Sequence, residues 1–162
     1  MATAPRELDR PAFYALASGG WRDLITLLHP PYTAWHLSYV AFGAAAAPHV
    51  YADRLFAALG AFLLAVGISA HALDECHGRP LQTRLSKRVL IVLAVVSLAA
   101  AVAIGIAGIV IVSPLLAPLV LAGAVLVPAY NLEPAGRIVN ALTKYPVNAG
   151  KPPHAIANQV SV

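Results

Sequence analysis

Long stretches without formal charge alternate with short polar segments along this chain. No Asp, Glu, Lys or Arg occurs in residues 24–52, 55–73 or 89–132. About 20 apolar residues are enough for a helix to cross the hydrocarbon core of a bilayer, which is ~30 Å thick. The 19 residues of 55–73 therefore predict one membrane-spanning helix.

The 44 residues of 89–132 are about twice as long as a single span requires. Ser113-Pro114 lies near the centre of this stretch. Proline interrupts a helix because it lacks an N–H donor and its ring clashes with the preceding turn. We therefore predict a helical hairpin with spans over 89–112 and 115–132.

The first charge-free stretch contains Pro30-Pro31, which the interior of a regular helix does not accommodate. We predict a short lead-in over 21–29 and a span over 32–47. The resulting fold is an all-α integral membrane protein, with a four-helix transmembrane bundle in residues 24–133.

The composition agrees with a membrane protein. Hydrophobic residues make up 59% of the chain and charged residues 11%, against about 25% charged in an ordinary soluble domain. Such an apolar excess requires the lipid bilayer as its surroundings. The first 22 residues lack the apolar core and cleavage site of a secretory signal. The single Cys76 excludes a disulfide within the chain and a cysteine-rich metal site.

The basic residues are distributed unevenly across the predicted spans, and only Arg54 lies on the side opposite the N-terminus. The other ten are Arg6, Arg10, Arg22, Arg79, Arg84, Lys87, Arg88, Arg137, Lys144 and Lys151. Lys and Arg accumulate in cytoplasmic loops, so we place both termini on the cytoplasmic side of the inner (cytoplasmic) membrane. The net charge of +4 then reflects topology, and no nucleic-acid partner is expected.

Two flanking segments complete the predicted organisation. Residues 1–23 form a cytoplasmic N-terminal segment. Residues 134–162 contain four prolines and no convincing apolar period, which predicts a mostly irregular cytoplasmic tail.

Candidate chemistry is concentrated where the second span meets the basic loop, residues 79–88. His71, Asp74 and Glu75 are spaced i, i+3 and i+4, so a helix places them on one face. Ionisable groups at a membrane boundary are candidates for function. The two carboxylates can hold magnesium for a phosphate-bearing ligand, or can join histidines around zinc, iron or manganese. Alternatively, they pair with arginines of the basic loop and close the helix end.

Two further sets of residues are candidates for the same region. His36 on the first span and His71 on the second are a candidate pair of haem ligands, although a buried histidine hydrogen-bonded to a neighbouring helix is the competing interpretation. Tyr130 and Asn131 end the fourth span on the cytoplasmic side, where they can face the same pocket. A polar helix terminus explains them equally well.

This arrangement resembles the N-terminal half of the UbiA-type prenyltransferases. The shared features are the four spans, the acidic motif at the cytoplasmic end of the second span, and Arg79-Pro80-Leu81 after it. The family's Asn-Asp-x-x-Asp type motif is divergent here: His71 stands at the Asn, Ala72 at the first Asp and Glu75 at the later Asp, while Asp74 is one residue out of register. Tyr130 resembles the tyrosine after the family's fourth helix.

The resemblance covers residues 21–133, the first half of a nine-helix fold, and the family's second aspartate-rich motif has no counterpart. It implies a divergent or truncated relative that binds a prenyl diphosphate through magnesium and transfers the prenyl group to an acceptor. Asp74 and Glu75 are then metal ligands. The substrate-binding candidates are Arg79, Arg84, His71, Tyr130 and Asn131. A homo-oligomer or a second membrane subunit would complete the cavity.

The alternative function is a non-catalytic membrane subunit or scaffold of a larger assembly. In that case the acidic stretch only ends a helix.

The asymmetry of basic residues predicts the topology of the chain. Single cysteines placed at Ala2, Thr83 and Ser161 should be protected from a membrane-impermeant thiol reagent in intact cells, whereas a cysteine at His49 should be labelled. Labelling of position 83 together with protection of position 49 would contradict this topology.

Overall fold

Helices dominate residues 12–131, which are the part of the chain that this computed structural model describes. No strand occurs in this part. Five helices follow one another: α1 Trp21–Leu27, α2 Pro30–Ala45, α3 Ala52–His77, α4 Lys87–Ile111 and α5 Pro114–Asn131. The predicted tail and the first eleven residues lie outside the described residues, so those predictions stay open.

Three of these helices, α3, α4 and α5, are long and apolar enough to cross a membrane. Their lengths are 26, 25 and 18 residues. The all-helical membrane prediction is confirmed at this level. Helix α2 has 16 residues, or about 24 Å at ~1.5 Å per residue, so the structure does not establish a fourth span.

Pro30 and Pro31 begin helix α2 instead of preceding it. The N–H groups of the first helical turn have no partner within the helix, so the missing donors of two prolines cost nothing there. The predicted lead-in is the short helix α1, and the predicted span over 32–47 starts two residues earlier and ends at Ala45.

Helix α3 extends beyond both ends of the predicted span over 55–73. It consists of an α-helical part Ala52–Phe62, a π-helical part Leu63–Ala70 and a final α-helical part His71–His77. The acidic stretch therefore forms the last turns of the helix. Gly67 in the π-helical part allows a close approach to α2, because a Cβ atom there would lie 2.9 Å from the Thr33 methyl carbon.

The predicted break at Ser113-Pro114 separates α4 from α5. The Ser86 hydroxyl accepts a hydrogen bond from the Val89 N–H at the start of α4, and the Ser113 hydroxyl accepts one from the Leu115 N–H at the start of α5. These hydroxyls satisfy donors that the first turn of a helix leaves free. The predicted break is confirmed, and the helices on its two sides cover 87–111 and 114–131.

The buried apolar core is small and lies near one end of the helices. It consists of Leu27, Ala72, Leu90 and Ala94. Helix α5 contributes no residue to this core, and large apolar side chains along it, such as Leu119 and Leu126, are exposed. Apolar side chains of this kind suit a hydrocarbon environment. The core packs α1, the end of α3 and the start of α4 together, and these are the elements that carry the candidate site.

We expect opposite effects from alanine at two glycines of α3. Gly67→Ala should lower stability by about 1–3 kcal/mol, because the added methyl group overlaps Thr33, whose branched side chain is stiff. Gly60 has open space around it, so Gly60→Ala should be neutral or stabilise by up to ~1 kcal/mol. Thermal unfolding in detergent measures both. Equal melting temperatures for the two variants would contradict the proposed close approach at Gly67.

Candidate functional site

Glu75 fastens the basic loop to the end of α3. Its side chain is fully buried. One carboxylate oxygen accepts a hydrogen bond from the Leu81 N–H at 2.9 Å, and the other accepts from the N–H and the hydroxyl of Thr83, both at 2.8 Å. Three donors compensate the cost of burying a charged carboxylate. Glu75 therefore closes the helix end, as the structural alternative expects. Its partners are two backbone N–H groups and one hydroxyl of the loop, where that alternative expected arginine side chains.

Asp23 holds the same loop from the side of α1. The carboxylate is buried. It accepts a hydrogen bond from the Gly19 N–H at 2.9 Å and another from the Arg84 N–H at 3.1 Å. Sequence reasoning missed this residue. From the sequence, an acidic residue in the first turn of a helix is expected only to interact favourably with the helix dipole. The partner of Asp23 in the loop lies 61 positions away.

Arg79 braces the loop internally. Its guanidinium donates hydrogen bonds to the Thr83 carbonyl at 2.9 Å and to the Leu85 carbonyl at 2.8 Å. The backbone of Arg79 and that of Gln82 are left-handed, with φ of 51° and 52°, a conformation that non-glycine residues seldom adopt. The hydrogen bonds that Glu75 accepts and those that Arg79 donates hold the loop in this shape.

The loop presents positive charge around its fixed backbone. Arg84, Lys87 and Arg88 are exposed, and only the backbone N–H of Arg84 takes part in the contact with Asp23. Their side chains are therefore available to an anion at this end of the helices.

Asp74 differs from its neighbour Glu75. It is half-buried, and no hydrogen bond to its carboxylate occurs among residues 12–131. His77 and His29 lie within electrostatic range of it. Among the described residues, no three His, Cys, Asp or Glu side chains are arranged to hold a metal ion. Both carboxylate oxygens of Glu75 already accept hydrogen bonds from the loop. Of the two neighbouring acids, Asp74 is therefore the one whose carboxylate oxygens can bind a ligand.

His71 belongs to a cluster of rings that joins three parts of the chain. The ring is buried and stacks on His29, with centroids 5.1 Å apart and an interplanar angle of 17°. Tyr32 meets His71 edge-on at 5.8 Å, and Tyr14 lies 4.5 Å from His29. Partial burial raises the pKa of the Tyr14 phenol. Sequence reasoning did not single out His29, because its stacking partner is 42 positions away (71 − 29).

In each of the two candidate haem ligands, a hydrogen bond determines which ring nitrogen is left for a further partner. Nδ1 of His71 bonds to the Gly67 carbonyl at 3.0 Å, and Nδ1 of His36 bonds to the Tyr32 carbonyl at 2.9 Å. A carbonyl oxygen only accepts, so Nδ1 carries the proton in both rings. Each ring then offers Nε2 alone to a further partner. Both bonds join residues four positions apart in the same helix, so neither is the bond to a neighbouring helix that the competing interpretation expects.

The two candidates at the end of α5 have different surroundings. Asn131 is buried and donates a hydrogen bond to the Val127 carbonyl at 2.6 Å. The Tyr130 side chain is 82% exposed. Helix α5 contacts the final part of α3, His71–His77. Asn131 is thus enclosed within the described helices, whereas Tyr130 faces away from them.

A small apolar cavity adjoins this region. Its volume is about 200 Å³, and its lining consists of Leu24, Leu27, Leu28, Gly67, Ile68 and Leu93. The Gly67 carbonyl bonds to His71, so the cavity lies directly beside the ring cluster. It has room for a short hydrocarbon segment.

Comparisons with protein-family models, curated proteins and solved structures give no match for this chain.

Substitution at neighbouring acidic positions should separate the structural carboxylate from the free one. Glu75→Ala removes the acceptor of three buried donors. Each unsatisfied donor costs about 1–3 kcal/mol, so we expect a loss of at least ~3 kcal/mol in the free energy of unfolding. Asp74→Ala should cost less than about 1 kcal/mol. Denaturant titration of both variants in detergent tests this, and equal losses would refute the role assigned to Glu75.

Proposed function

We propose that this protein is a UbiA-like integral membrane protein that binds a prenyl diphosphate at the basic loop with the help of magnesium. The observation that carries the proposal is the double anchoring of the loop by Glu75 and Asp23. Two buried carboxylates hold a cationic segment rigidly at the end of a bilayer-length helix. An amphiphile with a diphosphate head and a hydrocarbon tail matches such a boundary in both charge and polarity.

The cations of the loop have separate roles in this proposal. Arg84, with Lys87 and Arg88 beside it, contacts the phosphate oxygens, because charge-assisted hydrogen bonds to phosphate are strong. Arg79 positions the loop through its bonds to two carbonyls. Glu75 likewise acts as a positioning residue, which revises the metal-ligand role expected from the sequence.

Magnesium fits the donor set that remains. It keeps several waters and binds through one or two carboxylates together with substrate phosphates. Asp74 supplies one carboxylate and the diphosphate supplies the other oxygens. When bound, the ion stabilises negative charge on a diphosphate leaving group. His71 offers Nε2 as a polar group at the hydrocarbon end of the site, next to the apolar cavity.

The end of α5 and a partner subunit complete the proposed site. Tyr130 is exposed in the single chain, and a second copy or another membrane subunit would enclose it together with the prenyl chain. Asn131 would face the interior from the same turn. Transfer of the prenyl group to an acceptor, which the resemblance implies, depends on such an enclosed cavity.

We also propose four membrane crossings, with both termini on the cytoplasmic side of the inner membrane. Helix α2 begins at two prolines in the interface and covers ~24 Å of the bilayer. A short span of this kind is accommodated by local thinning of the bilayer or by flanking interfacial residues. Trp21 at the start of α1 and Tyr32 in the first turn of α2 are exposed and suit that role.

A non-catalytic subunit remains the second candidate. Glu75 favours it, since the most deeply buried acid of the motif has a structural task. Under this alternative the exposed faces of α5 contact another membrane protein, and the basic loop contacts no diphosphate.

Ligand-induced stabilisation distinguishes the two functions. Farnesyl diphosphate with magnesium should raise the melting temperature of the purified protein, since a ligand at 100 times its Kd stabilises by about 2.7 kcal/mol. Asp74→Asn and Arg84→Gln should each weaken the binding of farnesyl diphosphate at least about tenfold, and the rise in melting temperature should be correspondingly smaller. Arg54→Gln, at the opposite end of α3, is the matched control and should respond like the parent.

Stabilisation that requires magnesium and disappears in Asp74→Asn supports the diphosphate site. A parent protein that does not respond to farnesyl diphosphate with magnesium contradicts it and favours the subunit function. Inorganic diphosphate alone should stabilise less, because it lacks the hydrocarbon tail.

A further inference from the structure

A second, larger groove lies at the other end of α3, away from the basic loop. It separates the end of α2 from the start of α3 and has a volume of about 490 Å³. This falls within the ~300–1,000 Å³ range of small-molecule sites in proteins. We call it the Arg54 groove, after the basic residue in its lining.

One face of each helix and residues 47–50 of the connecting loop form the Arg54 groove. On α3 the lining residues are Arg54, Leu55 and Ala58, and Tyr51 directly precedes the helix. Their spacing of i, i+3, i+4 and i+7 is that of a single helical stripe. On α2 the lining includes Val40 and Ala44, again one turn apart. The walls on the two helices are therefore apolar, and the exposed polar lining residues His49, Tyr51 and Arg54 form the mouth of the groove.

The charge at the mouth is positive. Arg54 is exposed, and its guanidinium lies 4.1 Å above the centre of the Tyr51 ring. The ring restricts the guanidinium through a cation–π contact while leaving its N–H groups free. Asp53 does not line the groove, because consecutive residues of a helix point about 100° apart. The start of α3 has no side-chain cap, but Asp53 in its first turn offsets the positive potential of the free N–H groups, so Arg54 supplies the charge at the mouth.

These features together select an amphiphilic anion. Free phosphate would contact only the mouth and would leave the apolar walls without a partner. A neutral lipid would fill the walls and leave the guanidinium without a counter-charge. We propose that the Arg54 groove binds one anionic phospholipid, with its phosphate on Arg54 and part of an acyl chain between α2 and α3. This site is independent of the ligand proposed for the basic loop.

Lipid retention measured by native mass spectrometry tests the proposal. The parent protein, released from micelles doped with equal amounts of phosphatidylglycerol and phosphatidylcholine, should retain one phosphatidylglycerol with at least about tenfold preference. Arg54→Gln should abolish the preference. Arg84→Gln is the matched control at the opposite end, and it should retain the lipid like the parent.

Filling the groove provides a second, charge-neutral test. Ala44→Leu in α2 and Ala47→Leu in the loop that follows it both place bulk in the groove, and each should reduce retention at least several-fold. Ala57→Leu, on an exposed position of α3 outside the lining, is the control. Glycerol 3-phosphate, which has the anionic group without acyl chains, should neither bind nor compete.

The proposal is overturned by any of three results. They are equal retention of the two lipids by the parent, retention of phosphatidylglycerol by Arg54→Gln at the parent level, and unchanged retention in both groove-filling variants. Loss of retention in Arg54→Gln and in at least one filling variant, with both controls like the parent, supports it.

Discussion

The burial of the Glu75 carboxylate is the constraint on which the polar end of this molecule depends. A charge removed from water is tolerated only where donors replace its hydration. Here the donors are two backbone N–H groups and one hydroxyl from the following loop. The loop must fold back over the helix end to supply them, and this return path places α4 beside α3. Ala72, in the same turn of α3, then packs with Leu90 of α4 in the apolar core.

Asp23 extends the same principle to a second element. Its bond to the Arg84 N–H connects α1 to the loop, so the loop is held between two buried acids on different helices. Basic side chains remain on the outside of this assembly. The arrangement keeps acidic groups inside as structural acceptors and basic groups outside as potential ligand contacts. A phosphate-bearing ligand would approach the loop without meeting either buried carboxylate.

The positions of the long helices could be predicted from the sequence, because charge-free length is a direct consequence of bilayer thickness. The break at Ser113-Pro114 was predictable for an equally local reason. Pro30-Pro31 was ambiguous, since proline ends one helix and begins another with equal ease. A structural role for Glu75 was one of the alternatives that the sequence offered, but its hydrogen-bond partners were not predictable. Its partners are mostly backbone N–H groups, which every residue type except proline possesses, so no residue pattern indicates them. His29 and Asp23 were missed because their contacts join distant parts of the chain.

The π-helical part of α3 has a consequence for how the two ends of that helix are related. A π-helix has more residues per turn than an α-helix, so Leu63–Ala70 rotates the residues that follow it relative to those before it. One straight stripe along α3 therefore does not connect the face with Arg54 and Leu55 to the face with Ala72 and Glu75. The start of α3 contacts both α2 and α4, and its end contacts α4 and α1. The π-helical part accommodates about one residue more than an α-helix that turns through the same angle, so deleting a single residue within Leu63–Ala70 would let this part become α-helical while both ends keep nearly their present faces. Deleting a residue elsewhere in α3 would instead turn one end by about 100° and misalign it with its neighbours.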